Sequence, residues 1–325
     1  DERHKVVVRE VLQQLYDADE FYQDEYVGFY SAKQEAFLND RDRNEDGTFD
    51  SIYGEVQELR EKNYYFKLGQ HQQWLIDHIE ANPDFVAPDY RRNEVLGFLK
   101  NEKLEDLCIS RPKERLEWGI PLPFDEDYVT YVWFDALMNY ITAIGWGSDD
   151  EKFNFWWPAN YHLIGKDILT THAVYWSTML LAAGIPLPKT ILAHGWWLSD
   201  DTKMSKSLGN VVKPLDLIEE YGVDPVRYFL MRDMVLGSDA NFYMDSFIKR
   251  YNADLANDYG NLVNRVTMLI HKNFDSKIPE SGAYDEVDLA LISMAKTTPQ
   301  KVRTNIDNLK LHDALEKTMA MIREV

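Results

Sequence analysis

Apolar residues at Val6, Val7, Val11, Leu12 and Leu15 recur every three to four positions, which predicts one amphipathic helix over residues 1–20. From about residue 21 to 100 the pattern is mixed: Tyr26 to Tyr30 reads as strand, residues 40–50 as a polar tip, and Trp74 to Ile79 as helix. Between 101 and 200, apolar strands alternate with helical patterns. The strands expected there are Tyr131-Val132-Trp133-Phe134, Tyr161-His162-Leu163-Ile164-Gly165 and Thr190-Ile191-Leu192-Ala193. Such alternation predicts an α/β fold, a parallel sheet with covering helices. Trp118-Gly119-Ile120-Pro121-Leu122-Pro123 reads as a rigid extended re-entry into that sheet, because proline fixes its own φ and pushes its predecessor to extended geometry. Residues 241–325 carry helical periodicity with few turn signals and predict an all-α helix bundle.

At 325 residues the chain has room for two or three domains, and 45% hydrophobic content with 9 Trp and 19 Tyr is ample for their cores. The single cysteine, Cys108, excludes an internal disulfide and a multi-cysteine zinc site. It fits a reducing compartment; with no secretory-signal pattern and no apolar run of membrane length, it leads us to expect a cytoplasmic protein without a membrane partner. A net charge of −20 argues against broad nucleic-acid coating, including DNA binding. The acidity is unevenly spread: residues 241–325 hold 11 basic and 12 acidic residues, so local reading of an RNA loop by the C-terminal helices stays open. The chain begins at Asp1 rather than Met, inside a helical pattern, and we expect it to be a piece of a longer protein.

The richest chemistry lies in Lys203-Met204-Ser205-Lys206-Ser207, followed by Leu208-Gly209-Asn210. Two ammonium groups and two hydroxyls on a glycine-flanked loop suit a phosphate, since lysine is a compact charge that can follow a moving anion. By its own charges and glycine alone this reads first as a solvated surface loop. Its context favours a nucleotide site: the loop follows a buried strand and His194-Gly195-Trp196-Trp197, and precedes a helix near Val212 to Ile218.

These residues resemble a known family. Lys-Met-Ser-Lys-Ser is a signature of the class I aminoacyl-tRNA synthetases, and the flanking His-Gly-Trp-Trp, Ser-Leu-Gly-Asn and the run Asp224 to Arg232 are similar to the methionyl-tRNA synthetases. The resemblance implies a class I synthetase Rossmann fold, its second half present, with a connective insert and then an all-α anticodon-binding bundle. The expected organisation is a helix ending the first Rossmann half over 1–22, the insert over 23–100, and the second half over 101–200. A signature-loop and stem-contact region over 201–240 and an incomplete anticodon bundle over 241–325 complete it. The implied activity is a methionine–tRNA ligase, with methionine, ATP and tRNA(Met) as partners and Mg²⁺ arriving with ATP.

The resemblance also assigns residues. Trp133, Ala136, Leu137 and Tyr140 would line a methionine side-chain pocket, where a thioether packs well on aromatic faces. Read by spacing alone, Trp133 and Tyr140 are core aromatics. Gly165-Lys166-Asp167 is not a P-loop; Asp167 would bind an α-ammonium or a ribose hydroxyl, or else cap the next helix. Ile168, His172 and Trp176 recur at helical spacing, and the family match puts Ile168 and His172 on the pocket border with Trp176 behind. His194, Gly195, Lys203, Met204, Ser205, Lys206 and Ser207 would hold ATP, with Lys203 and Lys206 stabilising charge on leaving pyrophosphate. Asn261 and Arg265, four apart on one helix face, would read the anticodon; without the match they read as solvated.

Two departures qualify this. The family's other ATP signature, His-Ile-Gly-His, does not occur in the sequence, so these residues alone are expected to be inactive. The insert tip also lacks the paired cysteines of a zinc knuckle, and no zinc or other protein-bound metal is expected. There Asp42, Asn44, Asp46, Gly47 and Asp50 match the opening of a calcium loop, but the twelfth position is Tyr53 rather than glutamate, which favours a polar turn. Other readings are a non-catalytic tRNA-binding paralogue and a class I synthetase for another amino acid.

Overall fold

Helix α1 (Glu2–Asp17) forms on the first apolar stripe. Asp1 caps it by accepting from the His4 N–H, and Val7, Val8, Val11, Leu12 and Leu15 are buried. The computed structural model describes residues 1–31, 33, 36–38, 42–44, 46–199, 201–205 and 209–325. The chain divides into two units, Asp1–Ala193 and His194–Val325.

In the first unit β1 (Phe21–Ser31) pairs with β2 (Ala36–Leu38) on one side and with β3 (Val56–Phe66) on the other, antiparallel from Phe21↔Phe66 to Ser31↔Val56. Helix α2 (Gln72–Ala81), the short β4 (Val86–Ala87) and helix α3 (Asp89–Asn101) follow. Strand β5 (Leu107–Cys108) extends the hairpin sheet along β3, and β6 (Ser110–Pro112), β7 (Pro121–Leu122) and β8 (Asp125–Thr130) form an antiparallel sheet in the order β6-β8-β7. The chain then runs through α4 (Val132–Thr142), α5 (Asp150–Trp156), β9 (His162–Gly165), α6 (Ser177–Ala182) and β10 (Ile191–His194). Strands β4, β10 and β9 make one sheet in that order, with β10 parallel to β4 at Ile191↔Val86. One continuous core runs from Val7 on α1 through Phe134 on α4 to Ala193 on β10.

Two sequence expectations change here. Tyr131 to Phe134 is not a strand: β8 ends at Thr130 and Val132 opens α4. Four β-branched and aromatic residues look like strand in a short window, but Phe134, Leu137, Met138 and Ile141 repeat at helical spacing and all are buried. In addition, Val86–Ala87, inside the stretch read as an insert to residue 100, supplies a strand to the parallel sheet.

The second unit opens with the hairpin of β11 (Trp197–Ser199) and β12 (Thr202–Lys203), then α7 (Pro214–Tyr221) and α8 (Val223–Asp233). Strand β13 (Ala240–Phe242) lies parallel to β11, at Trp197↔Ala240. Helix α9 (Met244–Arg250) continues through a π-helical segment, Tyr251–Gly260, into α10 (Asn261–Asn273); α11 (Glu286–Asp307) and α12 (Leu311–Glu324) complete the helical region. Leu217, Val226, Phe229, Phe242 and Phe247 form its buried core. Among the described residues no helix is long and apolar enough to cross a membrane.

Candidate active site

Trp133, Ala136, Leu137 and Tyr140 fall on one side of α4 by their spacing. Leu137 is buried, Trp133 and Tyr140 half-buried, and Ala136 exposed. After β9 the backbone tightens into a 3₁₀ turn, Lys166–Ile168, and widens into a π turn, Thr171–Trp176. So Ile168, His172 and Trp176 do not lie on one regular α-helix; single π turns of this kind occur often at functional sites. His172 Nδ1–H donates to the Ile168 carbonyl at 2.9 Å, which leaves Nε2 to accept the Tyr140 hydroxyl, also at 2.9 Å. The Trp176 ring lies 6.0 Å from that of Tyr140. Asp167 is exposed, and its carboxylate folds over Gly165, where a Cβ would lie 2.6 Å from Oδ1.

The sequence reading missed His162. Its ring centroid is 4.2 Å from that of Tyr140 and 5.7 Å from that of Trp157, and its Nε2 accepts from the fully buried Trp176 indole at 3.1 Å. The signal was present in β9, where His162 and Ile164 are buried while Leu163 is exposed: a polar residue on the inward phase of a strand. Burial lowers the pKa of both histidines, that of His172 despite its carbonyl partner; His162 falls from 6.5 to about 4, through burial and then the neighbouring His172 charge. In the unfolded chain His162 takes a proton below its ordinary 6.5, whereas in the fold it resists until about 4. Its contribution is therefore complete above pH 6.5 and disappears as the pH falls from 6.5 to 4. A shift of that size corresponds to about 3 kcal/mol. Urea unfolding by circular dichroism is expected to show this loss in the wild type and a shallower one in His162→Gln; equal slopes in the two would refute it.

In the second unit the signature loop is anchored at both ends. Asp201 turns the β11–β12 hairpin at φ 59°. Its N–H donates to Asn241 Oδ1 at 2.9 Å, while its carboxylate accepts from Asn241 Nδ2 at 2.7 Å and the Tyr243 hydroxyl at 3.1 Å. At the exit, Asn210 accepts from the Ser205 N–H at 2.8 Å and donates to the Lys203 carbonyl at 3.3 Å. Met204 packs against the phenylalanine core, so its side chain holds the loop to the body. The exposed Lys203 ammonium sits 4.0 Å from the centroid of the Trp196 ring, a cation–π contact the motif did not reveal. Lys206 and Ser207 lie outside the described residues. His194 Nδ1 lies 2.7 Å from the Gly195 carbonyl oxygen. Gly195 is needed by the chain itself: a Cβ there would sit 2.1 Å from the Ser238 carbonyl oxygen.

Asn261 and Arg265 are both exposed on α10. In the 42–53 turn the carboxylates engage the chain's own donors. Asp42 accepts from the Tyr53 hydroxyl at 3.1 Å, Asp46 from the Thr48 N–H at 3.0 Å, and Asp50 from the Ile52 N–H at 2.9 Å. This is the geometry of a polar turn.

The family model described as tRNA synthetases class I (M) matches residues 47–267. The chain belongs to this family. It is 45% identical over 324 residues to a methionine–tRNA ligase of Clostridium acetobutylicum, covering 99% of this chain and 50% of that protein. A methionine–tRNA ligase of Bacillus subtilis is 42% identical, with 99% and 50% covered. The crystal structure of Mycobacterium tuberculosis methionyl-tRNA synthetase bound by methionyl-adenylate superposes with a TM-score of 0.89 at 40% identity, covering 100% of this chain and 64% of that one. The likeness gives the α/β region its name, the class I synthetase Rossmann fold, with a helical C-terminal region. The chain spans about half the length of the curated relatives it matches.

Proposed function

We propose that this chain carries the methionine-activating and tRNA-reading parts of a methionine–tRNA ligase. The observation that supports it most is the Tyr140–His172–Trp176 cluster, aromatic and largely buried, in a chain 45% identical to such a ligase. In this reading methionine packs its thioether against the walls formed by Trp133, Ala136, Leu137, Tyr140, Ile168 and His172, with Trp176 behind, and Asp167 accepts from its ammonium. The methionine carboxylate attacks the α-phosphate of ATP, pyrophosphate leaves, and the methionyl group passes to the terminal ribose hydroxyl of tRNA(Met). No protein nucleophile is needed; positioning and charge stabilisation do the work.

Lys203, Ser205, Lys206 and Ser207 bind the phosphates, and the two ammonium groups hold the leaving pyrophosphate more tightly as its charge grows. His194 and Gly195 lie along the nucleotide. No group of three or more His, Cys, Asp or Glu among the described residues is placed to hold a metal, and we assign Mg²⁺ to the ATP triphosphate. Asn261 and Arg265 read anticodon bases. The single cysteine suits a cytoplasmic setting. Because the His-Ile-Gly-His signature does not occur in these 325 residues, they are proposed not to form adenylate by themselves.

The test is made in the native protein that contains this chain, by methionine-dependent pyrophosphate–ATP exchange beside tRNA charging. Lys203→Ala is expected to lower exchange about a hundredfold, the scale of losing one charge-stabilising donor. Arg265→Ala is expected to lower charging roughly tenfold and leave exchange unchanged. Exchange that does not depend on methionine, or equal losses of both activities in Arg265→Ala, would overturn the assignment.

A further inference from the structure

We propose that His162 is a positioning residue of the amino-acid site: its ring seats Tyr140, and its Nε2 fixes the indole of Trp176. The proposal rests on the methionine-activating reading above and deepens it. Trp176 is fully buried, and an indole N–H can only donate. His162 Nε2 receives it at 3.1 Å, which requires the neutral ring with its proton on Nδ1. The same ring packs against two aromatics, Tyr140 at 4.2 Å and Trp157 at 5.7 Å between centroids. Trp157 is itself fixed, its Nε1–H donating to the Pro186 carbonyl at 2.7 Å. On the far side Tyr140 donates to His172 Nε2, and His172 is tied through Nδ1 to Ile168.

His162 and His172 thus use matching acceptor nitrogens to orient one aromatic each, the backing Trp176 and the wall residue Tyr140, and Tyr140 touches both rings. An aliphatic residue on this inward phase of β9 would pack but could not accept, so the histidine answers to the indole rather than to the core. Side chains that shape a ligand pocket must be held to a fraction of an ångström, and a partner behind the wall does that without touching substrate. Removing the acceptor leaves a buried donor unpaired and frees the indole and Tyr140 together.

The experiment is methionine-dependent exchange in the native protein, with methionine and ATP varied separately and folding checked by circular dichroism. His162→Leu is expected to raise the methionine KM roughly tenfold, with kcat and the ATP KM nearly unchanged. His162→Gln, whose amide oxygen can take the indole N–H, should recover most of that loss. In a Trp176→Phe background, which has no N–H to satisfy, His162→Leu should add only the smaller part of that rise that comes from the lost ring contact with Tyr140. Equal losses in the Leu and Gln variants, a parallel rise in the ATP KM, or a full penalty in the Trp176→Phe background would each overturn the proposal while leaving the activity assigned. A wild type without methionine-dependent exchange would overturn the functional reading and this proposal with it.

Discussion

Gly195→Ala is expected to destabilise the second unit by about 4 kcal/mol or more, beyond the 1–3 kcal/mol typical of an overpacked core. A Cβ at 195 would meet the Ser238 oxygen at 2.1 Å, its carbonyl carbon at 2.3 Å and the Asp239 nitrogen at 2.6 Å. All three are backbone atoms, so no side-chain rotation relieves the clash. The two segments are also tied: the Trp196 N–H donates to Asp239 Oδ1 and the Ala240 N–H to the Trp196 carbonyl, both at 2.9 Å. Parting them strains the parallel pairing of β11 with β13, whose Phe242 lies in the core with Phe229 and Phe247. Gly97→Ala is the control. It lies inside α3 with nothing within 4 Å of its Cβ and should gain a few tenths of a kcal/mol to about 1. Urea unfolding of the two variants compares them directly, and a Gly195→Ala midpoint equal to that of the wild type would refute the argument.

What the sequence made legible follows from the range of each interaction. The α1 stripe, the β9 and β10 strands and the C-terminal helices rest on local periodicity, and all are present. Trp133 was placed on a strand because its β-branched and aromatic neighbours outweigh a helical period that becomes visible only as far as Ile141. The two-residue β4 carries too little pattern to be seen, and only its pairing with β10 reveals it. At the site, chemistry-bearing residues were readable as motif members, but their partners were not. Nothing local links Lys203 to the face of Trp196, or His162 to an indole fourteen residues on, across a change from strand through 3₁₀ to π geometry. Gly195 was readable as a motif member, but that a Cβ there would meet the Ser238 backbone, more than forty residues away, is a tertiary constraint no local pattern carries.

Asp254→Ala is expected to cost the second unit about 1–3 kcal/mol, the scale of leaving partly buried donors short of an acceptor. Asp254 is 4% exposed, on the π-helical segment. It accepts from the Tyr228 hydroxyl at 2.7 Å and from Arg250 at 3.4 Å, and lies 3.9 Å from Arg323. Arg250 also binds Asp233 at 3.1 Å; Arg323 binds Asp258 at 2.8 Å and Glu316 at 3.1 Å; and Arg232 pairs with Glu316. These contacts join α8, α9, the π segment and α12, so alanine would leave two guanidinium groups and the half-buried Tyr228 hydroxyl short of an acceptor. Asp254→Asn keeps an oxygen for Tyr228 but not the charge, and should fall between wild type and alanine. Acid should weaken the same network. Burial alone would raise the Glu316 pKa, but the Arg323 hydrogen bond and the charges of Arg232 and Arg323 bring it below its ordinary 4.5. Its contribution is therefore present above pH 4.5 and lost as the pH falls through the lower folded value. Urea unfolding at neutral pH ranks the three proteins, and an alanine variant as stable as the wild type would show that solvent, rather than Asp254, satisfies these cations.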